Sequence, residues 1–371
     1  MGVKYDFETA VNFTKASVAL ARSWPPSRTS SKCDVIKFDI TWSLSILSSL
    51  ALFFPLLASI YKNQSNSLVL TQTVCFLGAT CNFMVKMIVY RLHRKRTQVE
   101  TILELVENDF VKNCQAHERI VLQRYVDRCS KFHAAITVIN YLTAAMVICA
   151  PLLLPQRFPT RAIYPFSSDS TLAICLVYAH QSFVGFQCST GATIDCQTAL
   201  MMWFAGARIE ILAGELKEVS NVEGLKSFVR KHQRLLRYAQ EVSHTMSYIA
   251  LVTLAMSGVG TIFSSLQLLG NQPMAVKMQF GPIAVIAAMN LFVCAWPADN
   301  LIRVVGLIHP SMKNFLIILR RCQEPVRVSV PCLLPTLSLR YYATYLSTAF
   351  SYTTTLRLII KSDPETRNAD Y

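Results

Sequence analysis

The sequence predicts an all-α integral membrane protein with seven transmembrane helices, and three observations predict it. Of its 371 residues, 52% are apolar and 16% charged, and the mean hydropathy of +0.35 lies outside the usual balance of a soluble domain. Seven windows are long and apolar enough to cross a hydrocarbon core about 30 Å thick, which takes about 20 residues of helix. Lysine and arginine alternate between rich and poor connections, the pattern that sets membrane orientation.

The spans follow in order. Residues 1–37 are polar and contain no apolar signal core, so the first span, 38–61, acts as its own insertion signal. The second span covers 68–90 and the third 132–154; the fourth begins at Thr171 and runs unusually far, to 204. Spans five, 246–269, and six, 278–296, are joined by the turn-like Gly-Asn-Gln-Pro at Gly270 to Pro273. The seventh covers 338–360, and the basic stretch 301–327 before it reads as a cytoplasmic anchor helix.

Counting basic residues orients the bundle. The N-terminal segment and the connections after spans two, four and six hold 27 Lys and Arg, against 7 in the other connections and the tail. The N-terminus is therefore expected in the cytoplasm and, after seven crossings, the C-terminus outside. The sequon at Asn63 to Ser65 falls outside in this topology, while that at Asn12 to Thr14 falls inside. The net charge of +14 then reflects loops lying against anionic lipid, and no nucleic-acid partner is expected. Twelve cysteines without CxxC spacing indicate neither a metal site nor a disulfide framework. Cys149 and Cys175, near the outer ends of spans three and four, read as buried thiols, with a disulfide between them as the alternative. No metalloprotease, nucleophile-elbow or phosphate-loop motif is present, so the chain does not read as an enzyme and no cofactor is expected.

Two ionisable residues fall inside spans. Lys86, near the inner end of its span, has the reach to snorkel, and Asp195 is expected to face protein or a water cavity.

The seventh span carries seven hydroxyl residues between Thr344 and Thr355. At about 100° per residue, Thr344, Thr348, Ser351, Thr355, Leu358 and Ser362 fall within about 40° of one line. The other side carries Leu339, Leu346, Phe350, Thr353, Leu356 and Ile360. Two readings of the stripe stay open on the pattern alone. Ser and Thr in membrane helices bond back to the preceding turn and permit close packing; the same stripe also suits a helix lining water, and that reading requires an oligomer.

The C-terminal stretch from Leu337 to Arg357 resembles the signature of insect odorant receptors: Ser338-Leu339, then Ser351-Tyr352, then Leu356-Arg357. Leu316 to Pro325, reading LIILRRCQEP, is similar to the family's cytoplasmic helix motif, with Cys322 in a serine position; His232 and Asp195 add weaker support. The resemblance is to the divergent tuning receptors of ants, bees and wasps. It implies a ligand-gated, non-selective cation channel at the plasma membrane of olfactory neuron dendrites, built as a heterotetramer with an odorant co-receptor and using no G protein. The last helix would line the pore through Thr344, Thr348, Ser351, Thr355, Leu358 and Ile359, with the gate at Thr355, Leu358 and Ile359. Thr355 departs from the aliphatic residue of the co-receptor, which itself has a longer fourth cytoplasmic segment than this chain.

The resemblance also implies a pocket for a small hydrophobic volatile or cuticular ligand in the outer half of the bundle. Projected by depth, it draws on Phe76, Ala79 and Phe83 in span two, Asn140, Tyr141 and Thr143 in span three, Tyr178, His180 and Gln181 in span four, and Phe280 and Ala284 in span six. His180 and Gln181 are expected to orient a polar ligand group or to bond to Tyr141. Between Gly306 and Phe315 the chain is shorter than typical members and carries Pro310, which breaks or shortens a helix. That shortening leaves a degenerate, non-assembling member as one alternative. A gustatory-type receptor is another, although its Thr-Tyr and Gln-Phe ending is absent. A transporter would require internal repeats, and a G-protein-coupled receptor the reverse topology.

Overall fold

The computed structural model describes residues 7–26, 30–96, 116–215, 221–270, 272–311 and 326–362. Eight α-helices make up nearly all of it: α1 Phe7–Ser17, α2 Lys32–Lys62, α3 Ser67–Arg96 and α4 Ala116–Ile148. After these come α5 Thr171–Glu215, α6 Val222–Leu269, α7 Met274–Ser311 and α8 Leu339–Ser362. Helices α2 to α8 contain the seven predicted spans. The third differs at its end, because α4 stops at Ile148 and a 3₁₀ turn covers Ala150–Leu152, with Pro151 supplying no backbone donor.

By length and composition, α2, α3, α4, α6 and α7 are each long and apolar enough to cross a membrane. Helix α5 falls outside that group for a physical reason. Every residue from Ser189 to Ala207 is buried, so this part of the helix meets protein on all sides and has no lipid-facing stripe to keep apolar, while its first turns expose Leu172, Leu176 and Phe183. It packs against α1, α2, α3, α4, α6 and α7. Its small residues let neighbours approach: a Cβ on Gly191 would lie 3.0 Å from the Phe83 Cα and 3.1 Å from its Cβ. A cluster of Trp203, Trp296, Phe132 and Phe292, with edge-to-face contacts at 5.1 to 5.7 Å, fills the space among α4, α5 and α7.

The N-terminal segment does more than lie outside the bundle. Val11, Val18 and Ala21 are buried in the main core. The Ser17 carbonyl accepts from the Tyr141 hydroxyl at 2.9 Å and from the Thr193 hydroxyl at 3.0 Å, and the Ser23 hydroxyl donates to the Gln197 side chain at 2.6 Å. These bonds satisfy the C-terminal end of α1 with side chains of α4 and α5.

The segment entering α8 is held just as firmly. Val326, Val328, Leu334 and Leu337 are buried, the Ser329 amide donates to Ser247 at 2.9 Å, and the Ser243 hydroxyl donates to the Arg327 carbonyl. Helix α7 ends at Ser311, one residue past Pro310; most of the expected anchor, including Leu316 to Pro325, lies outside the described residues. Cys149 and Cys175 are exposed and unpaired rather than buried.

The α3–α5 contact generates a prediction. Gly191→Leu forces side-chain atoms into the α3 backbone and should lower stability by about 1–3 kcal/mol, read as a fall in the thermal unfolding midpoint of the purified protein. Gly214→Ala, at a position with open space around it, should leave the midpoint unchanged or raise it slightly.

Candidate functional site

Six helices leave a cavity of about 160 Å³ between them, α2 contributing only Leu52. Its walls come from Cys75, Phe76, Ala79 and Asn82 on α3, Asn140, Thr143, Ala144 and Val147 on α4, and Gln181, Gly185, Cys188, Ser189 and Ala192 on α5. Helix α6 adds Met256, Ser257 and Gly260, and α7 adds Ile283, Ile286, Ala287 and Asn290. The lining is mostly apolar with a few polar groups, the usual make-up of a small-molecule site. Glycine shapes it where helices cross: a Cβ on Gly260 would meet the Ala287 Cβ at 3.2 Å.

The connection between α4 and α5 roofs one end. Thr160 and Pro159 line the cavity, and Gln181 ties them down. Its Oε1 accepts from the Thr160 amide at 2.9 Å and the Thr160 hydroxyl at 3.0 Å, while its Nε2 donates to the Tyr164 hydroxyl at 3.2 Å. Burial pushes the Tyr164 phenol above its ordinary pKa, and the bond from Gln181 partly offsets that. The Ile163 amide donates to the Pro55 carbonyl at 3.0 Å, fastening the same connection to α2.

Of the residues projected by depth, Phe76, Ala79, Asn140, Thr143 and Gln181 line the cavity. The others lie off it. Phe83 is fully buried against Gly191. Tyr141 bonds to Ser17, and Tyr178 donates to the Ile148 carbonyl at 2.7 Å. His180 pairs with the Ser48 carbonyl at 3.0 Å and borders a separate surface hollow with Phe54 and Tyr164. Phe280 is fully buried with its ring 5.8 Å from that of Phe76, and Ala284 is buried outside the lining. Neither His180 nor Gln181 bonds to Tyr141; both hold the bundle and its roof together. Reading span two by helical face rather than depth selects Asn82 in place of Phe83, and the same shift selects Ile283 in place of Ala284.

One turn below the cavity sits a buried ion pair. Lys86 and Asp195 are both fully buried, with Nζ 2.7 and 2.8 Å from the two carboxylate oxygens. The Lys86 ammonium also donates to the Gly191 carbonyl at 3.2 Å, and Asp195 accepts from the Thr253 hydroxyl at 2.9 Å. Lys86 therefore does not snorkel. It cannot reach the membrane surface because α5 supplies a counter-charge at the same depth.

On α8 the expected stripe is exposed. Thr344, Thr348, Ser351, Thr355 and Leu358 face away from the bundle, and the side chain of Ile359 lies outside the described residues. Each hydroxyl donates back four residues: Thr344 to Arg340, Thr348 to Thr344, and Ser351 and Thr355 to Ser347 and Ser351, at 2.9 to 3.2 Å. The buried face is instead Tyr345, Ala349 and Thr353. Tyr342 donates to the Ala288 carbonyl at 3.1 Å, and Tyr345 and Thr261 share a hydrogen bond of 3.3 Å.

The ion pair yields a prediction. Lys86→Met or Asp195→Leu alone strands a buried charge and should cost about 3–5 kcal/mol. The double variant should recover most of that loss, as read from unfolding midpoints in a double-mutant cycle.

The fold recurs in known proteins. The insect olfactory receptor OR5 from Machilis hrabei superimposes with a TM-score of 0.79 at 13% identity, covering 95% of this chain and 99% of that one. The same receptor in complex with eugenol gives 0.76 at 14% identity, with 96% and 100% covered. In sequence, odorant receptor 13a of Drosophila melanogaster is 23% identical over 395 residues, spanning 92% of this chain and 93% of its own length. The model of the 7tm Odorant receptor family matches residues 66–306. That stretch is well over half the chain and holds every residue lining the cavity except Leu52: this protein belongs to the insect odorant receptor family.

Proposed function

We propose that this odorant receptor is a tuning subunit: it takes a small, largely apolar volatile or cuticular molecule into the cavity among α3 to α7 and, with a co-receptor, opens a non-selective cation channel. The observation that carries the reading is the cavity itself. It is roofed by a loop that Gln181 fastens and lined by residues of α6 and α7, the two helices against which α8 packs. A molecule entering the cavity therefore presses on the helices that hold the last one. The presence of eugenol in a relative of the same fold supports small-molecule binding within this architecture.

In this reading the α8 stripe of Thr344, Thr348, Ser351 and Thr355 faces a water-filled path, with Leu358 and Ile359 narrowing it toward the outer end. Hydroxyls already bonded to their own backbone keep free lone pairs. They solvate a passing cation weakly enough to release it. One copy of α8 cannot enclose such a path, so the reading requires a ring of subunits, and we assign the other members to a co-receptor in a heterotetramer. It sits as a multi-pass protein in the plasma membrane of olfactory neuron dendrites, with the N-terminus inside and no G protein.

Whole-cell recording tests this. Cells expressing the chain with an insect odorant co-receptor should show a ligand-evoked cation current, absent with co-receptor alone, to at least one member of a broad panel of hydrocarbons, esters and alcohols. Thr355→Leu should lower that current with surface expression unchanged. A current unaltered by substitutions at Thr348, Ser351 and Thr355 together would remove α8 from the pore.

A further inference from the structure

The polar groups of the cavity are unevenly committed. Asn140 donates to the Ile136 carbonyl at 2.8 Å, Thr143 to the Ile139 carbonyl at 2.8 Å, and Thr80 to the Phe76 carbonyl at 2.9 Å. Gln181 is occupied with the roof. Two side chains are different. Asn82 on α3 and Asn290 on α7 both line the cavity, are 8% and 7% exposed, and have side-chain oxygens with no hydrogen-bond partner. A buried amide left unpaired is unfavourable, and buried polar groups are nearly always bonded to something. Two such oxygens lining one cavity, one on α3 and one on α7, form a site waiting for a partner.

Resting on the cavity being the ligand site, we infer that its ligand is a compact neutral alcohol, whose hydroxyl is held between the side-chain amides of Asn82 and Asn290 while its carbon skeleton packs against Phe76, Ile283 and Met256. Three features select that class. The unpaired groups are acceptor oxygens, so they call for a ligand group that donates, and a hydroxyl is the small neutral one; a ketone, ether or ester oxygen only accepts, and a hydrocarbon does neither. No charged residue lines the cavity, and the nearest charges, Lys86 and Asp195, are already bonded to each other, so an ammonium or carboxylate would be desolvated without a counter-charge. The volume of about 160 Å³ is close to that of a cavity known to hold one benzene-sized molecule, ~150 Å³. That limits the ligand to about the size of a six-membered ring with a short substituent.

The experiment compares cyclohexanol, cyclohexanone and methylcyclohexane, three skeletons of nearly one shape, by the ligand-induced rise in unfolding midpoint of the purified full-length receptor. The wild-type receptor should bind cyclohexanol about tenfold or more tightly than either of the others. Asn82→Leu and Asn290→Leu, made separately, should each remove that preference while leaving binding of methylcyclohexane intact or improved. Neither should lower the unfolding midpoint without ligand, since each replaces an unpaired buried amide with an apolar group. Asn82→Thr and Asn290→Thr serve if a leucine variant fails to fold; each should retain part of the preference.

Ala79→Trp, which fills the cavity, separates the two levels of the reading. Equal binding of the three compounds, all abolished by Ala79→Trp, overturns the alcohol assignment and keeps the cavity as the ligand site. A preference for cyclohexanol that persists in Ala79→Trp, or in both asparagine variants, overturns the assignment of the hydroxyl to these residues. Failure of all three compounds to bind, when other panel members that lack a hydroxyl do bind in an Ala79-dependent way, overturns it as well. Binding by no compound of any class, or binding untouched by Ala79→Trp throughout, overturns the cavity reading together with the inference.

Discussion

The Lys86–Asp195 pair fixes how the central helices sit against each other. A charged side chain at membrane depth is costly unless it is partnered, and here one pair satisfies that demand for two helices at once. The bonds around it add α6 through Thr253 and the α5 backbone through the Gly191 carbonyl. Gly191 is also where α5 comes within contact of Phe83 on α3. Side-chain charge and backbone proximity therefore set the same register between α3 and α5. Shifting either helix by one turn would separate the charges and bring a larger residue to the crossing.

That register positions the cavity. Asn82 lies one turn from Lys86 on α3, Ala192 three residues from Asp195 on α5, Ser257 one turn from Thr253 on α6, and Asn290 one turn from Cys294 on α7, whose thiol bonds to Asp195. The cavity floor and the ion-pair layer are successive turns of the same four helices. A ligand that spreads or draws together α3 and α7 acts on residues next to a bonded, desolvated charge network, which resists partial displacement because its bonds depend steeply on geometry. Small rearrangements in such a layer tend to be all-or-none.

Five of the spans, α2, α3, α4, α6 and α7, are readable because a lipid-exposed helix must be apolar over its length, and that demand is one-dimensional. Lys86 was misread for the opposite reason. Its fate depends on a counter-charge more than 100 residues away at the same depth, and no local pattern records that pairing. The cavity residues fall between these cases. Depth along each helix was legible, but azimuth was not, so Phe83 stood in for Asn82, Tyr141 was taken along with Asn140, and Ala284 stood in for Ile283. Each substitution is one residue, or about 100° around the helix. A face-by-face reading of small and polar residues at three- and four-residue spacing, such as Asn82 with Lys86 and Asn290 with Cys294, carries the missing signal. The docking of α1 into the bundle leaves little sequence signal, since its hydrogen bonds to α4 and α5 run through the Ser17 carbonyl, and any residue supplies a carbonyl.

The last helix brings these constraints together. Its inner face is tied to α6 and α7 by Tyr345 and Tyr342, and the segment entering it is tied to α6 by Ser243 and Ser247. Helix α6 therefore contacts the α8 region at Ser243 and Ser247 and again at Thr261, and meets the cavity between them, at Met256, Ser257 and Gly260. A displacement of α6 at the cavity must move either the segment that leads into α8 or the tyrosine contact farther along it. The outer face of α8 bears hydroxyls bonded only to its own backbone, so no bond on that face resists a displacement of the helix with its anchors. A helix anchored on one side and unbonded on the other is suited to follow its anchors, and in this fold the anchors are two of the helices that form the cavity.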